Sequence, residues 1–122
     1  MKILLVEDNM LNQKVVTFNL RKQNYDVVTA DCGSAAIKAY EENKFDLVLM
    51  DIMLPEMDGF EITAEIRKRE KEAGENSVPI IALTANTLDN DRDKCIQSGM
   101  DEYLAKPFTA DELITVIKQF IP

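Results

Sequence analysis

The sequence predicts an α/β fold with a doubly wound parallel sheet of five strands and five helices. Short apolar runs alternate five times with segments of helical periodicity along the 122 residues. The runs are apolar at consecutive positions, which is typical of strands covered by helices on both faces. Ordinary connection lengths favour right-handed crossovers between parallel strands. We therefore expect one domain, 1–122, without an output domain.

The first half of the chain supplies three strands, predicted at 3–6, 25–30 and 47–50. Asn9 has a short polar side chain suited to cap the first helix. The apolar residues of that helix, which we expect on or beside one face, are Leu11, Val15, Val16 and Phe18. Leu11 either packs in the core or forms a docking patch with Met10 and 107–108. A second helix opens at Gly33, and its inward residues are Ala36, Ile37 and Tyr40.

The second half adds three helices and two strands, with the strands at 80–83 and 102–105. Asp58 with Glu61 has the spacing of a helix start. This third helix becomes almost wholly charged at 67–72, which indicates a solvated helix end. A polar fourth helix, about 88–97, has few core-facing residues. Thr109 opens the last helix with a capping box, and its inward residues are Leu113, Val116 or Ile117, and Phe120.

Charge and composition exclude several classes of function. The net charge of -8 argues against nonspecific binding to nucleic acid, which depends on neutralising phosphates. No apolar run approaches the roughly 20 residues that span a bilayer, and the chain passes from Met1 directly into a strand, so we expect a cytoplasmic protein. The sequence contains no histidine, which removes Ser-His and Cys-His catalysis and histidine metal ligands.

Polar side chains follow the predicted strands where the strands end. Glu7 and Asp8 follow the first strand, Asp51 the third, Thr84 the fourth and Lys106 the fifth. In the flavodoxin-like strand order 2-1-3-4-5, strands one and three lie side by side at the switch point, where such sheets bind ligands. The sequence therefore predicts one site that contains three carboxylates, a hydroxyl and an ammonium group.

The predicted group of side chains suits magnesium-dependent phosphoryl chemistry. Three neighbouring carboxylates repel one another and favour a bound cation. Oxygen ligands that leave room for water and phosphate suit Mg²⁺. Lysine and threonine can contact phosphate oxygens. Because phosphoryl transfer needs mainly positioning and charge stabilisation, Asp51 can serve as the nucleophile without a histidine base.

The sequence resembles the receiver domain of two-component response regulators in four motifs that follow the family's order. The motifs are Leu5-Val6-Glu7-Asp8-Asn9, Met50-Asp51-Ile52-Met53-Leu54-Pro55 with Asp58-Gly59, Ala82-Leu83-Thr84-Ala85 and Tyr103-Leu104-Ala105-Lys106-Pro107-Phe108. The resemblance implies that Asp51 accepts a phosphoryl group from the phosphohistidine of a histidine kinase or a histidine phosphotransfer protein. It further implies that the domain signals to a downstream protein target and catalyses only its own phosphorylation and slow dephosphorylation.

The resemblance also implies a role for each of the other site residues. Asp8, Asp51 and the Met53 carbonyl bind Mg²⁺, with Glu7 acting through water. Lys106 contacts the phosphoryl group and precedes a cis bond to Pro107. Thr84 and Tyr103 switch the surface formed by the fourth helix, fifth strand and fifth helix.

Three details show which receivers the sequence resembles most. The first acidic position is Glu7, where many receivers have aspartate. The stretch 7–9 together with Asn12 and Gln13 resembles receivers of hybrid kinases and phosphorelays, and the last helix lacks the arginine-rich end of DNA-binding regulators.

Other functions on the same fold have less support. A flavodoxin-type cofactor binder needs a hydroxyl- and glycine-rich loop after the first strand, and a haloacid-dehalogenase-type phosphatase needs a carboxylate where Met53 stands. The remaining alternative is a pseudo-receiver that binds its partner without phosphorylation.

Overall fold

Five parallel strands form one sheet in the computed structural model, which describes residues 1–54, 57–84 and 91–122 but not the side chains of 91 and 92. The strands are β1 Lys2–Val6, β2 Asp26–Ala30, β3 Leu47–Asp51, β4 Ile80–Thr84 and β5 Glu102–Ala105. The helices are α1 Met10–Lys22, α2 Gly33–Glu42, α3 Gly59–Ala73, α4 Asp91–Gln97 and α5 Ala110–Lys118. The order β2-β1-β3-β4-β5 confirms the predicted fold. The predicted helix start at 88 and motif positions 55 and 85 lie outside the described residues.

The central strands are buried on both faces. Alternate residues of β1 and β3 belong to two separate hydrophobic clusters, one on each side of the sheet. Leu4 and Val48 lie in the cluster that contains residues of α2 and α3, whereas Leu5 and Leu49 pack with residues of α1 and α5. This arrangement explains why the strands are apolar at consecutive positions.

Of the four apolar residues predicted on or beside one face of α1, only one packs inward. Leu11, Val15 and Phe18 are 70%, 53% and 64% exposed, and only Val16 is buried. The face toward the sheet contains Gln13, Val16 and Leu20, at helical spacing. The sequence did not indicate the inward face, because α1 has apolar residues around much of its circumference and a polar residue at its first core-facing position. The predicted cap at Asn9 is confirmed, since its side chain accepts a hydrogen bond from the Asn12 backbone N–H at 3.0 Å.

The predictions for α2 and α5 agree with the structure. In α2 Ala36 is buried, and Ile37 and Tyr40 are partly buried against the same cluster. In α5 both hydrogen bonds of the Thr109 capping box are present, and Leu113 and Ile117 are buried.

The charged end of α3 is not simply solvated, which corrects the prediction for 67–72. Glu70 is only 3% exposed and accepts a hydrogen bond from the Val78 backbone N–H at 2.6 Å. The Arg67 guanidinium contacts Glu70 at 2.8 Å and Asp101 at 2.9 Å. It also donates to the carbonyls of Val78 and Gly99, each at 2.8 Å. Arg67 therefore links α3 to the loops that precede β4 and β5.

Every helix in the described part of the chain is too short or too polar to cross a bilayer.

Candidate functional site

The ends of neighbouring strands bring the predicted acidic residues together. Asp51 ends the central strand β3, between β1 and β4. Carboxylate oxygens of Glu7, Asp8 and Asp51 all lie within 4.8 Å of one another. Glu7 and Asp51 are 2% and 4% exposed, whereas Asp8 is open to solvent. The predicted convergence at this edge of the sheet is confirmed.

Lys106 connects the two buried carboxylates. Its Nζ atom lies 3.0 Å from Glu7 Oε2 and 3.2 Å from Asp51 Oδ2. The other oxygen of each carboxylate accepts a backbone N–H, from Asn9 to Glu7 at 3.1 Å and from Met53 to Asp51 at 3.1 Å. Both side chains are therefore held in place. The peptide bond between Lys106 and the next residue is cis, as the resemblance implies.

Burial and mutual repulsion set the protonation of the site. Burial, with the Glu7 charge beside it, raises the pKa of Asp51 to about 6, although Lys106 opposes the change. Burial also pushes the pKa of Glu7 upward, but hydrogen bonds from Lys106 and the Asn9 backbone outweigh it and leave that pKa below its usual value. Burial alone would lower the pKa of Lys106, but its hydrogen bonds to both carboxylates and their negative charges outweigh burial and raise that pKa above its usual value. With Asp8 included, three acidic groups face one ammonium group.

The residues present fit a hard divalent cation. Three carboxylates whose oxygens lie within 4.8 Å of one another can supply oxygen ligands, and Lys106 balances only part of their charge. Mg²⁺ is typically held by one or two carboxylates while it keeps several waters, which the exposed Asp8 side permits. Met53 lies two residues beyond Asp51, and its backbone N–H already contacts that carboxylate. The role of its carbonyl stays a prediction.

Thr84 and Tyr103 lie on the neighbouring strands. Thr84 ends β4 and is 2% exposed, and its carbonyl accepts a hydrogen bond from the Lys106 backbone N–H at 2.7 Å. Tyr103 lies on β5, pairs with Ala82 of β4 and is half-buried against the core. Their positions suit the predicted switch, and the switching itself stays a prediction.

Sequence reasoning missed one residue next to the site. Gln13 is 8% exposed, and its side-chain amide donates to the backbone carbonyl of Glu7. The available signal was the helical spacing of Gln13 from Val16 and Leu20, which places it on the same face, toward the sheet.

Asp51→Asn is expected to stabilise the metal-free protein by about 2–3 kcal/mol at pH 7.5, because a pKa raised by about two units disfavours the charged form. The contribution of Asp51 to stability is present below pH about 4 and is lost as the pH rises through about 6. The difference in unfolding free energy between variant and wild type should therefore grow between these pH values. Urea unfolding with a metal chelator measures it.

Asp58→Asn is the matched control, because asparagine caps helices as well as aspartate does. A stability difference for Asp51→Asn that does not grow with pH would contradict the assignment.

Comparison with known proteins identifies the family. The model of the response regulator receiver domain matches residues 3–118. Sensor protein GacS of Pseudomonas syringae pv. syringae is 41% identical over 116 residues, which cover 95% of this chain and 13% of that protein. Hybrid signal transduction histidine kinase B of Dictyostelium discoideum is 42% identical, covering 98% of this chain and 7% of the kinase. The chain thus spans only a small part, 13% and 7%, of the length of these two relatives.

Solved structures agree with this result. One is the receiver domain of sensor histidine kinase PA1611 from Pseudomonas aeruginosa, which was crystallised with a magnesium ion in its active site cleft. It is 46% identical with a TM-score of 0.87, and the match covers 98% of this chain and 96% of that one. The receiver domain of Saccharomyces cerevisiae Ssk1, solved with the phosphotransfer protein Ypd1, is 33% identical with a TM-score of 0.93, over 98% and 88% of the two chains. The chain therefore belongs to the response regulator receiver domain family of two-component and phosphorelay systems, and it is similar to the receivers of hybrid histidine kinases.

Proposed function

We propose that this receiver accepts a phosphoryl group on Asp51 from a phosphohistidine of a histidine kinase or histidine phosphotransfer protein. One observation supports the proposal above all: the buried Asp51 carboxylate lies among Glu7, Asp8 and Lys106 at the ends of neighbouring strands. The proposed unit is the single domain 1–122, and the activity of any longer protein that contains it is a separate question.

In the proposed reaction an Asp51 carboxylate oxygen attacks phosphorus. The new P–O bond forms as the P–N bond of the donor breaks, and its electron pair returns to the imidazole ring. Lys106, already 3.2 Å from Asp51, contacts the phosphoryl oxygens and offsets their charge. The Met53 N–H holds the second Asp51 oxygen and so orients the nucleophile.

The cofactor that we propose is Mg²⁺, which supplies charge neutralisation for phosphoryl transfer when it is bound. Asp8, Asp51 and the Met53 carbonyl would hold it, and Glu7 would act through water. The magnesium ion in the related PA1611 receiver supports this choice.

We further propose that Thr84 and Tyr103 report the modification. A phosphoryl group adds strong acceptors and nearly two negative charges. Thr84, which ends the strand beside β3, can turn toward them, and Tyr103 can then move inward. The surface of α4, β5 and α5 would thereby change for a downstream protein target. Apart from its own phosphorylation and slow dephosphorylation, the domain would catalyse nothing.

A groove beside the site is the proposed docking surface for the phosphoryl donor. It has a volume of about 500 Å³, and its walls include Glu7 and Lys106 as well as Leu11, Val15 and Phe108. The exposed apolar side chains of α1 can pack against the helices that present the donor histidine. The similarity to the Ssk1 receiver, solved with Ypd1, supports a protein partner of this kind.

The proposal predicts one phosphoryl adduct on the wild-type protein after incubation with acetyl phosphate and Mg²⁺. Intact-mass spectrometry should detect no adduct without Mg²⁺ and none on Asp51→Asn, because both the nucleophile and the charge neutralisation are required. Asp58→Asn should be labelled like the wild type. No adduct on the folded wild-type protein would overturn the proposal and favour the phosphorylation-independent pseudo-receiver.

A further inference from the structure

We propose that Gln13 is a positioning residue that orients Asp8 for Mg²⁺. This inference rests on the proposed function. Gln13 occupies the first core-facing position of α1, where its side chain is removed from water but is not apolar. Its Nε2 group donates to the backbone carbonyl of Glu7, and its own backbone N–H donates to the Asn9 carbonyl at 3.0 Å. Gln13 thus contacts both ends of the turn that contains Asp8.

The Glu7 carbonyl lies where the sheet no longer supplies a partner. β1 ends at Val6 and β2 ends at Ala30, and the last backbone bond between these two strands runs from the Glu7 N–H to the Ala30 carbonyl at 2.9 Å. The side-chain amide of Gln13 donates the hydrogen bond that the backbone N–H of a further strand residue would otherwise supply. A buried carbonyl without such a donor would be strongly unfavourable.

The Gln13 hydrogen bond reaches Asp8 through one planar peptide group. The Glu7 carbonyl and the Asp8 N–H belong to the same plane, so fixing the direction of the carbonyl fixes the plane from which Asp8 departs. Within the described part of the chain, Glu7 and Asp51 each bind a backbone N–H and Lys106, whereas the Asp8 carboxylate has no hydrogen bond or ion pair. Gln13 therefore acts on the third carboxylate of the cluster through the backbone from which the Asp8 side chain departs.

Gln13→Met tests the inference, because methionine has a similar length and no donor. The half-saturating Mg²⁺ concentration should rise about tenfold, as is typical when a hydrogen bond behind a metal ligand is lost. It is measured from the Mg²⁺-dependent rise of the thermal midpoint without a phosphoryl donor. The labelling rate by acetyl phosphate should show the same shift and recover to within about threefold at saturating Mg²⁺, because the nucleophile is unchanged.

Asn19→Met is the matched control, because the Asn19 amide also donates to a backbone carbonyl of α1, that of Val15 at 3.0 Å, but away from the site. Its half-saturating Mg²⁺ concentration should stay within about twofold of wild type. If Gln13→Met does not fold, Gln13→Asn provides the same test, because its amide is too short to reach the carbonyl.

A lower stability of the Gln13 variant with an unchanged Mg²⁺ requirement would show a purely structural role and overturn the inference. Failure of the proposed function is distinguishable, because it would appear as a wild-type protein that takes no phosphoryl group. The thermal shift measures Mg²⁺ binding whether or not labelling occurs.

Discussion

Arg67→Ala is expected to lower the free energy of unfolding by about 3 kcal/mol, because it leaves a buried carboxylate without its partner. Glu70 is 3% exposed, and its ion pair with Arg67 is 2.8 Å long. The same substitution removes the donors to the carbonyls of Val78 and Gly99. Urea unfolding at neutral pH measures the loss.

Arg69→Ala is the control on the same helix. Arg69 pairs with Glu41 and with Glu65, but all three side chains are about a third exposed or more. Exposed pairs of this kind contribute about 0.5 kcal/mol. Adding Glu70→Gln to Arg67→Ala should recover part of the loss by removing the buried charge. Equal losses for the two arginine variants would show that the buried network contributes no more than the exposed one.

The Arg67 network could not be predicted from the sequence. An arginine in a run of charged helix residues is most often solvated, and two of its partners, Gly99 and Asp101, lie in another part of the chain. The carbonyls that it binds belong to connections whose path depends on how α3 packs. Tertiary structure therefore decides which residues of such a run are buried.

The architecture and the acidic cluster were predictable for a different reason. Apolar runs locate the strands, and parallel strands bring their carboxyl ends to one edge whatever the details of side-chain packing. The positions of Glu7 and Asp51 follow directly from this geometry. Their protonation does not, because it depends on burial and on the distances to Lys106 that only the structure supplies.

The orientation of α1 illustrates the limit of periodicity. With Met10, Leu11, Val15 and Phe18 all apolar and all exposed, the pattern does not indicate a single inward face. The hydrogen bond from Gln13 to Glu7 is consistent with the observed orientation of α1, in which Gln13 faces the site and an apolar face is exposed to solvent. An exposed apolar face beside a site is typical of surfaces that bind other proteins.

Lys106→Met is expected to lower the free energy of unfolding by about 3 kcal/mol at pH 7.5 without Mg²⁺, because Glu7 and Asp51 then lose their shared cation. Both carboxylates are buried and repel each other, so their pKa values should rise in the variant. Groups whose pKa is raised by folding stabilise the protein at low pH and lose that contribution as the pH rises. The loss should therefore be small near pH 4 and largest above pH 7.

Urea unfolding across this pH range, with and without Mg²⁺, measures the effect. Mg²⁺ should restore part of the stability, because it supplies positive charge to the same carboxylates. Adding Glu7→Gln should also restore part of it, by removing one of the two buried charges. Lys118→Met, at an exposed position of α5, is the control and should change stability by less than about 0.5 kcal/mol. A loss that is equal at pH 4 and pH 8 would show that Lys106 stabilises the fold through packing of its aliphatic chain, and that charge balance in the site has little part in it.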